Sequence, residues 1–121
     1  SGELGAAEAP TITHPAIHFL SDSTVVMSED RPKLEEDVAW LAQYPRAVVI
    51  LEGHCDQTGR ADYNMELGDR RAREIKSFLI ERGIAADRII MVVSFGEERP
   101  VDPRETHAAL RQNRRVELVL R

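Results

Sequence analysis

The chain of 121 residues carries a single cysteine, Cys55, so no internal disulfide can form. A lone thiol fits a reducing compartment, or an oxidising one in which it stays half-buried. No apolar run approaches the ~18–20 residues that span a bilayer, and no signal peptide is visible. The Ser1-Gly2 start reads as a processing scar, so the absence of an anchor or leader says little about where the full protein resides. Basic residues are not in excess: Lys+Arg number 16 against Asp+Glu 21, a net charge of −5. Phosphate recognition needs a basic face, so nucleic acid is a poor partner. Repeats and low-complexity tracts are also missing. What is there is an ordinary apolar fraction, 42%. A single domain of this size buries roughly two thirds of its unfolded surface and needs neither disulfide nor metal to fold.

Residues 1–15, rich in Ala, Glu, Gly and Pro without periodicity, read as a flexible lead-in, with the domain at 16–121. Ala16–Phe19 is a short strand candidate. Ser28 is a helix N-cap candidate, followed by Leu34, Val38, Leu41 and Ala42 at helical spacing, with Pro45 closing the helix. Ala47–Leu51 is β-branched and apolar on both faces, as in a central strand. Leu67, Ala72, Ile75, Phe78 and Leu79 mark a second helix, with Gly68 as its N-cap candidate and Gly83 as its stop. Arg88–Ser94 is a third strand. A loop or short helix then leads to Arg115–Leu120, whose alternation suits a half-buried or edge strand. This order predicts an α+β two-layer sandwich, a mixed four-stranded sheet with helices on one face.

The chemistry concentrates in "EGHCDQTGRADYN", Glu52 to Asn64. His54, Cys55 and Asp56 are all potential metal ligands, but adjacent residues on an extended chain point opposite ways. His14, His18 and His107 form no zinc-spaced pair either, so no metal site is expected. Cys55 has His54 beside it in sequence, which is poor geometry for an activating base; a small half-buried residue at a strand end is the plainer reading. Arg71 lies four residues after Leu67 and four before Ile75, on the core stripe of its helix. A guanidinium there needs an anion. An internal pair with Asp56 or Glu52 is the reading that spacing favours; the other is a gap flanked by Asp56 and Arg71 that takes a ligand of both charges. Arg111, Arg114 and Arg115 form an anion patch or a solvated strand entrance, and Asn113 a loop tie.

"EGHCDQTGRADYNMELGDRRAREIKSFL" resembles the signature of the OmpA-like peptidoglycan-binding domain, and "RGIAADRI", "SFGEERPV", "NRRVELVL" and "IHFLSDSTVVMSED" extend the likeness from about residue 16 to the end. The Cys of "GHCD" and the Gly of "LGDRRA" lean toward the peptidoglycan-associated lipoprotein branch. The resemblance implies a non-enzymatic anchor that binds meso-diaminopimelate of the peptidoglycan stem peptide non-covalently. It implies that Asp56 takes the ammonium and Arg71 the carboxylate of that zwitterion. It further implies that Phe19, Leu20, Ser21 and Asp22 close the pocket, with Leu20 standing where many members have Asp or Asn. Asn64 would brace the site, Cys55 would offer backbone contacts, and Gly53, His54 and Arg114 would support it. Arg111 and Asn113 match the end that contacts ligand or loop. No cofactor is implied. The expected setting is the periplasm, with attachment to the outer membrane through a segment this chain lacks. The rival readings are an interaction module for Tol-type periplasmic proteins, the wall-binding domain of a flagellar stator, and a wall-cutting enzyme.

Overall fold

The computed structural model describes residues 14–121. The elements run β1 (Ile17–His18), α1 (Arg31–Gln43), β2 (Val49–His54), α2 (Ala61–Glu81), β3 (Ile89–Gly96), α3 (His107–Asn113) and β4 (Arg115–Leu120), with one-turn 3₁₀ segments at Ser28–Asp30 and Ala86–Arg88. The four strands form one mixed sheet in the order β1-β4-β2-β3. β4 is antiparallel to both β1 and β2, while β2 and β3 run parallel. The α+β architecture expected from the element order is present. β4 is not an edge: strands on both sides hydrogen-bond it. Alternation reports that one face is buried and is silent about how many neighbours a strand has.

The core lies between one face of the sheet and the two long helices. Leu34 and Leu41 of α1 meet Ala72, Ile75 and Leu79 of α2 over Val49, Leu51, Val116 and Leu118, with Ile17 and Phe19 closing one end. Helix α1 stops at Gln43, two residues before Pro45. Arg88 ties that end to the sheet, donating to the carbonyls of Leu41 (2.9 Å), Tyr44 (2.7 Å) and Ala47 (3.0 Å). Helix α2 stops as expected at Gly83, whose φ is +96°. Gly83 N–H reaches Ile80 O and Ile84 N–H reaches Leu79 O, each at 3.0 Å. That pair of hydrogen bonds closes the orphaned last turn.

Two expected helix starts are corrected. Ser28 opens a 3₁₀ turn, and no side chain caps it; the polar work at this end belongs to buried Asp30, which accepts from His18 N–H at 2.7 Å. Gly68 is not a cap, because α2 begins seven residues earlier at Ala61. Gly68 sits mid-helix because the helix backbone crosses the strand backbone there: a Cβ on Gly53 would lie 1.8 Å from Gly68 O. The lead-in expected over residues 1–15 lies almost wholly outside the described residues. Its described end is anchored, since His14 Nδ1 meets Asp37 Oδ1 at 3.0 Å and its ring stands edge-on to Trp40.

Candidate functional site

The Gly53–Gly68 crossing draws α2 onto the end of β2. Arg71, one turn further along α2, is thereby fixed under the loop that follows β1. Its side chain is fully buried (0% exposed). Nε donates to Ser23 O (2.9 Å), Nη2 to Leu20 O (3.1 Å), and Nη1 to His54 O (3.1 Å) and Cys55 Sγ (3.6 Å). The ring of Phe19 lies beneath, 5.4 Å from the guanidinium carbon. Among the described residues no carboxylate pairs with Arg71, so the internal salt bridge that spacing favoured is not made. Main-chain carbonyls hold the fork instead. Burial pulls the Arg71 pKa below its usual value; nearby Arg114 adds to this and Asp56 opposes it.

Asp56 follows β2 and faces the same hollow, 6% exposed. Its Oδ1 accepts from Thr58 N–H (2.9 Å) and from the Thr58 hydroxyl, which folds the loop back on itself. Its Oδ2 meets Arg114 Nη1 at 3.3 Å. Asn64, in the first turns of α2, holds that loop through Nδ2, which donates to Thr58 O (2.8 Å), Asp56 O (3.3 Å) and Glu97 Oε1 (2.8 Å). Asp22 closes the far side. It sits at φ +48°, a left-handed conformation that Asp tolerates better than most residues, and accepts from the Tyr63 hydroxyl.

These side chains surround a hollow of about 250 Å³, lined by Ser21, Asp22, Cys55, Asp56, Thr58, Tyr63, Arg71 and Arg114 among others. The charges facing it are two carboxylates and two guanidiniums. A larger hollow of about 580 Å³, between α1 and α3, is a weaker candidate. Its charged groups satisfy one another: Asp30 holds His18 (2.8 Å) and Lys33 (2.8 Å), and Arg111 holds Glu29 (2.6 Å).

Of the residues singled out in the sequence, Asp22, Cys55, Asp56, Asn64, Arg71 and Arg114 meet at the smaller hollow. Phe19 is buried in the core under Arg71 and does not reach it. Leu20 turns its side chain outward, 46% exposed, and contributes its carbonyl. Gly53 serves the helix crossing, and His54 gives its carbonyl to Arg71 while its ring stacks on Phe95 at 5.5 Å. Cys55 is buried at the end of β2. Its N–H is taken by Gly96 O (2.9 Å), and its thiol lines the hollow, donating to Asn64 O at 3.1 Å. Burial pushes that thiol to a pKa of about 11. The expected Arg111–Arg114–Arg115 patch is divided. Arg114 lines the hollow, Arg111 pairs with Glu29, and Arg115 turns to the opposite sheet face onto Glu117 at 2.6 Å. Asn113 ties the preceding loop, accepting from Val101 N–H (2.8 Å) and donating to Asp102 O (2.8 Å). Thr58 and Tyr63 were not anticipated; Tyr63 adjoins Asn64 in the quoted stretch, but nothing local shows that it reaches Asp22.

The OmpA family matches residues 18–114. Two similar proteins are the peptidoglycan-associated lipoproteins of Rhizobium meliloti, 36% identical over 104 residues, and of Agrobacterium fabrum, 34% over 131 residues. The matches take in 86% and 99% of this chain, and 58% and 73% of those proteins. The peptidoglycan-associated lipoprotein of Burkholderia pseudomallei has a crystal structure similar to this one, with a TM-score of 0.81 at 30% identity, over 88% of this chain and 89% of that one. The C-terminal domain of Helicobacter pylori MotB shares the fold, with a TM-score of 0.78 at 21% identity over 88% and 84%.

Proposed function

This chain belongs to the OmpA family, a structural family associated with peptidoglycan and not an enzymatic one, and from that premise we propose that the hollow between Asp56 and Arg71 holds the free end of a diaminopimelate residue in the peptidoglycan stem peptide. The protein then acts as a non-covalent anchor between the cell wall and the envelope component that carries it, in the periplasm at the outer membrane.

The observation that carries this reading is Arg71. A guanidinium withdrawn from water is costly without an anion, and here neutral carbonyls are its neighbours. A ligand carboxylate supplies the missing charge: the carbonyls leave one Nη2 N–H free, and the long contact to Cys55 Sγ (3.6 Å) is one a carboxylate oxygen can displace. Asp56, whose Oδ1 is held twice by Thr58, has acceptor capacity left on Oδ2 beside Arg114 for an ammonium. A group bearing both charges on one carbon matches both walls. A simple anion leaves Asp56 and Asp22 facing negative charge, and a simple cation meets Arg71 and Arg114. Discrimination by unpaired buried charge is worth several kcal/mol in such sites.

The test is co-sedimentation with purified sacculi in the presence of free meso-diaminopimelate or free lysine. Release by diaminopimelate and not by lysine supports the reading. Sedimentation insensitive to both would remove it.

A further inference from the structure

On the face of the sheet turned away from the core, two strands bring three metal-ligating groups together. Glu52 and His54 lie two residues apart on β2 and so share a face. Glu117 is the β4 residue directly opposite Glu52. One ligand atom from each of Glu52, His54 and Glu117 lies within 4.8 Å of the others. We propose that these three residues form a binding site for one divalent transition-metal cation of the zinc class.

The cluster of acids would carry little without the histidine. His54 is 2% exposed, and neither of its ring nitrogens has a hydrogen-bond partner. A buried imidazole without a partner forfeits its hydration and gains nothing in return. A metal ion would accept one nitrogen's lone pair. Phe95 stacks on the ring (centroids 5.5 Å apart), and Arg99 covers the Phe95 ring at 3.7 Å. The ring is therefore held in place and not free to turn toward water.

Two carboxylates face the cluster, and the guanidiniums of Arg115 and Arg99 stand behind it. Arg115 Nε holds Glu117 Oε2 at 2.6 Å, which orients the carboxylate and leaves its second oxygen for the ion. Such supporting bonds are usual around metal ligands. With metal–ligand bonds of about 2.0–2.2 Å, tetrahedral donors stand roughly 3.3 Å apart. The two partly exposed glutamates can close that gap by side-chain rotation while His54 stays fixed. One histidine and two carboxylates leave the remaining position to water, as in an open site.

Titration of zinc chloride into the untagged, metal-free chain tests this by calorimetry at pH 7. The expected result is one zinc per chain, with the ring nitrogen resonances of His54 shifted by the metal. Glu52→Gln and Glu117→Gln, which keep shape and remove charge, each weaken binding at least tenfold. His107→Asn, at the distant hollow, leaves it unchanged. A folded wild type that takes up no stoichiometric zinc overturns the proposal, as does uptake that both glutamine variants retain.

Discussion

Gly53 and Gly68 meet backbone to backbone: a Cβ on Gly53 would fall 1.8 Å from Gly68 O, and one on Gly68 would fall 2.3 Å from Ser94 Oγ. The contact decides how close α2 lies to β2, and so whether Arg71 reaches His54 O. Gly53→Ala meets rigid backbone and is expected to destabilise by about 3 kcal/mol, the upper end for overpacking. Gly68→Ala meets the Ser94 hydroxyl hardest, with the Gly53 backbone at 3.1 Å a milder crowding, and gains helix propensity, so it costs less, and part of its cost returns in Gly68→Ala/Ser94→Ala. Urea unfolding of the four proteins checks the order. Equal losses for the two single variants would contradict it.

Asp30 gives the fold an acid limit. Burial raises its pKa, but the bonds from Lys33 and from the His18 backbone and ring outweigh burial, so the net value lies below the usual 3.8. A depressed carboxylate contributes stability that is fully present above its unfolded pKa and is lost as pH falls through the folded one. That contribution therefore holds at neutral pH and fades below about pH 4. Asp30→Asn should be clearly less stable than wild type at pH 7, with the gap narrowing at pH 3. Urea midpoints at both values report it, and a constant gap would rule out Asp30 as a source of the acid limit.

Cys55 should be inert in the native state. With a pKa pushed to about 11 by burial, about one thiol in a thousand is ionised at pH 8, and thiolate is the reactive form. Disulfide-exchange reagents at pH 8 are expected to label it in urea and to leave the native chain unmodified for hours. Rapid native labelling would mean that the Cys55–Asn64 contact opens readily.

Arg71→Lys separates charge from geometry. Lysine keeps the cation but cannot reach the Ser23, Leu20 and His54 carbonyls together while still aiming an N–H at a ligand carboxylate. The variant is expected to fold with a lower melting temperature and to lose most of its affinity for sacculi, by about 2–3 kcal/mol. Retained affinity would show that charge alone suffices.

Local pattern made much of this legible. The β-branched run before Gly53 marked β2, and the spacing Leu67–Arg71–Ile75 placed a guanidinium on a buried face before its surroundings were known. The identity of its partners was not legible, because main-chain carbonyls leave no mark on a sequence. Gly68 read as a cap because a glycine's local effect looks the same whether it ends a helix or lets a strand pass close by. Tyr63 and Asn64 hid the first turns of α2, since their side chains face the loop and not the core. The Glu52–His54–Glu117 cluster was missed for a related reason. The chain neighbours of His54 point elsewhere, whereas Glu52 and Glu117, its spatial neighbours, come from two residues away and from across the sheet.

The central claim is that Asp56 and Arg71 together hold a zwitterion. Calorimetry with a stem peptide ending in meso-diaminopimelate, against the same peptide ending in lysine, tests it most directly. Wild type and Asp56→Asn run side by side, because Asp56→Asn keeps the shape of the loop and the bonds around Arg71. The account predicts binding of the diaminopimelate peptide alone, weakened by about 2–5 kcal/mol in the variant. Equal binding of both peptides, or full affinity in a folded Asp56→Asn, would contradict it.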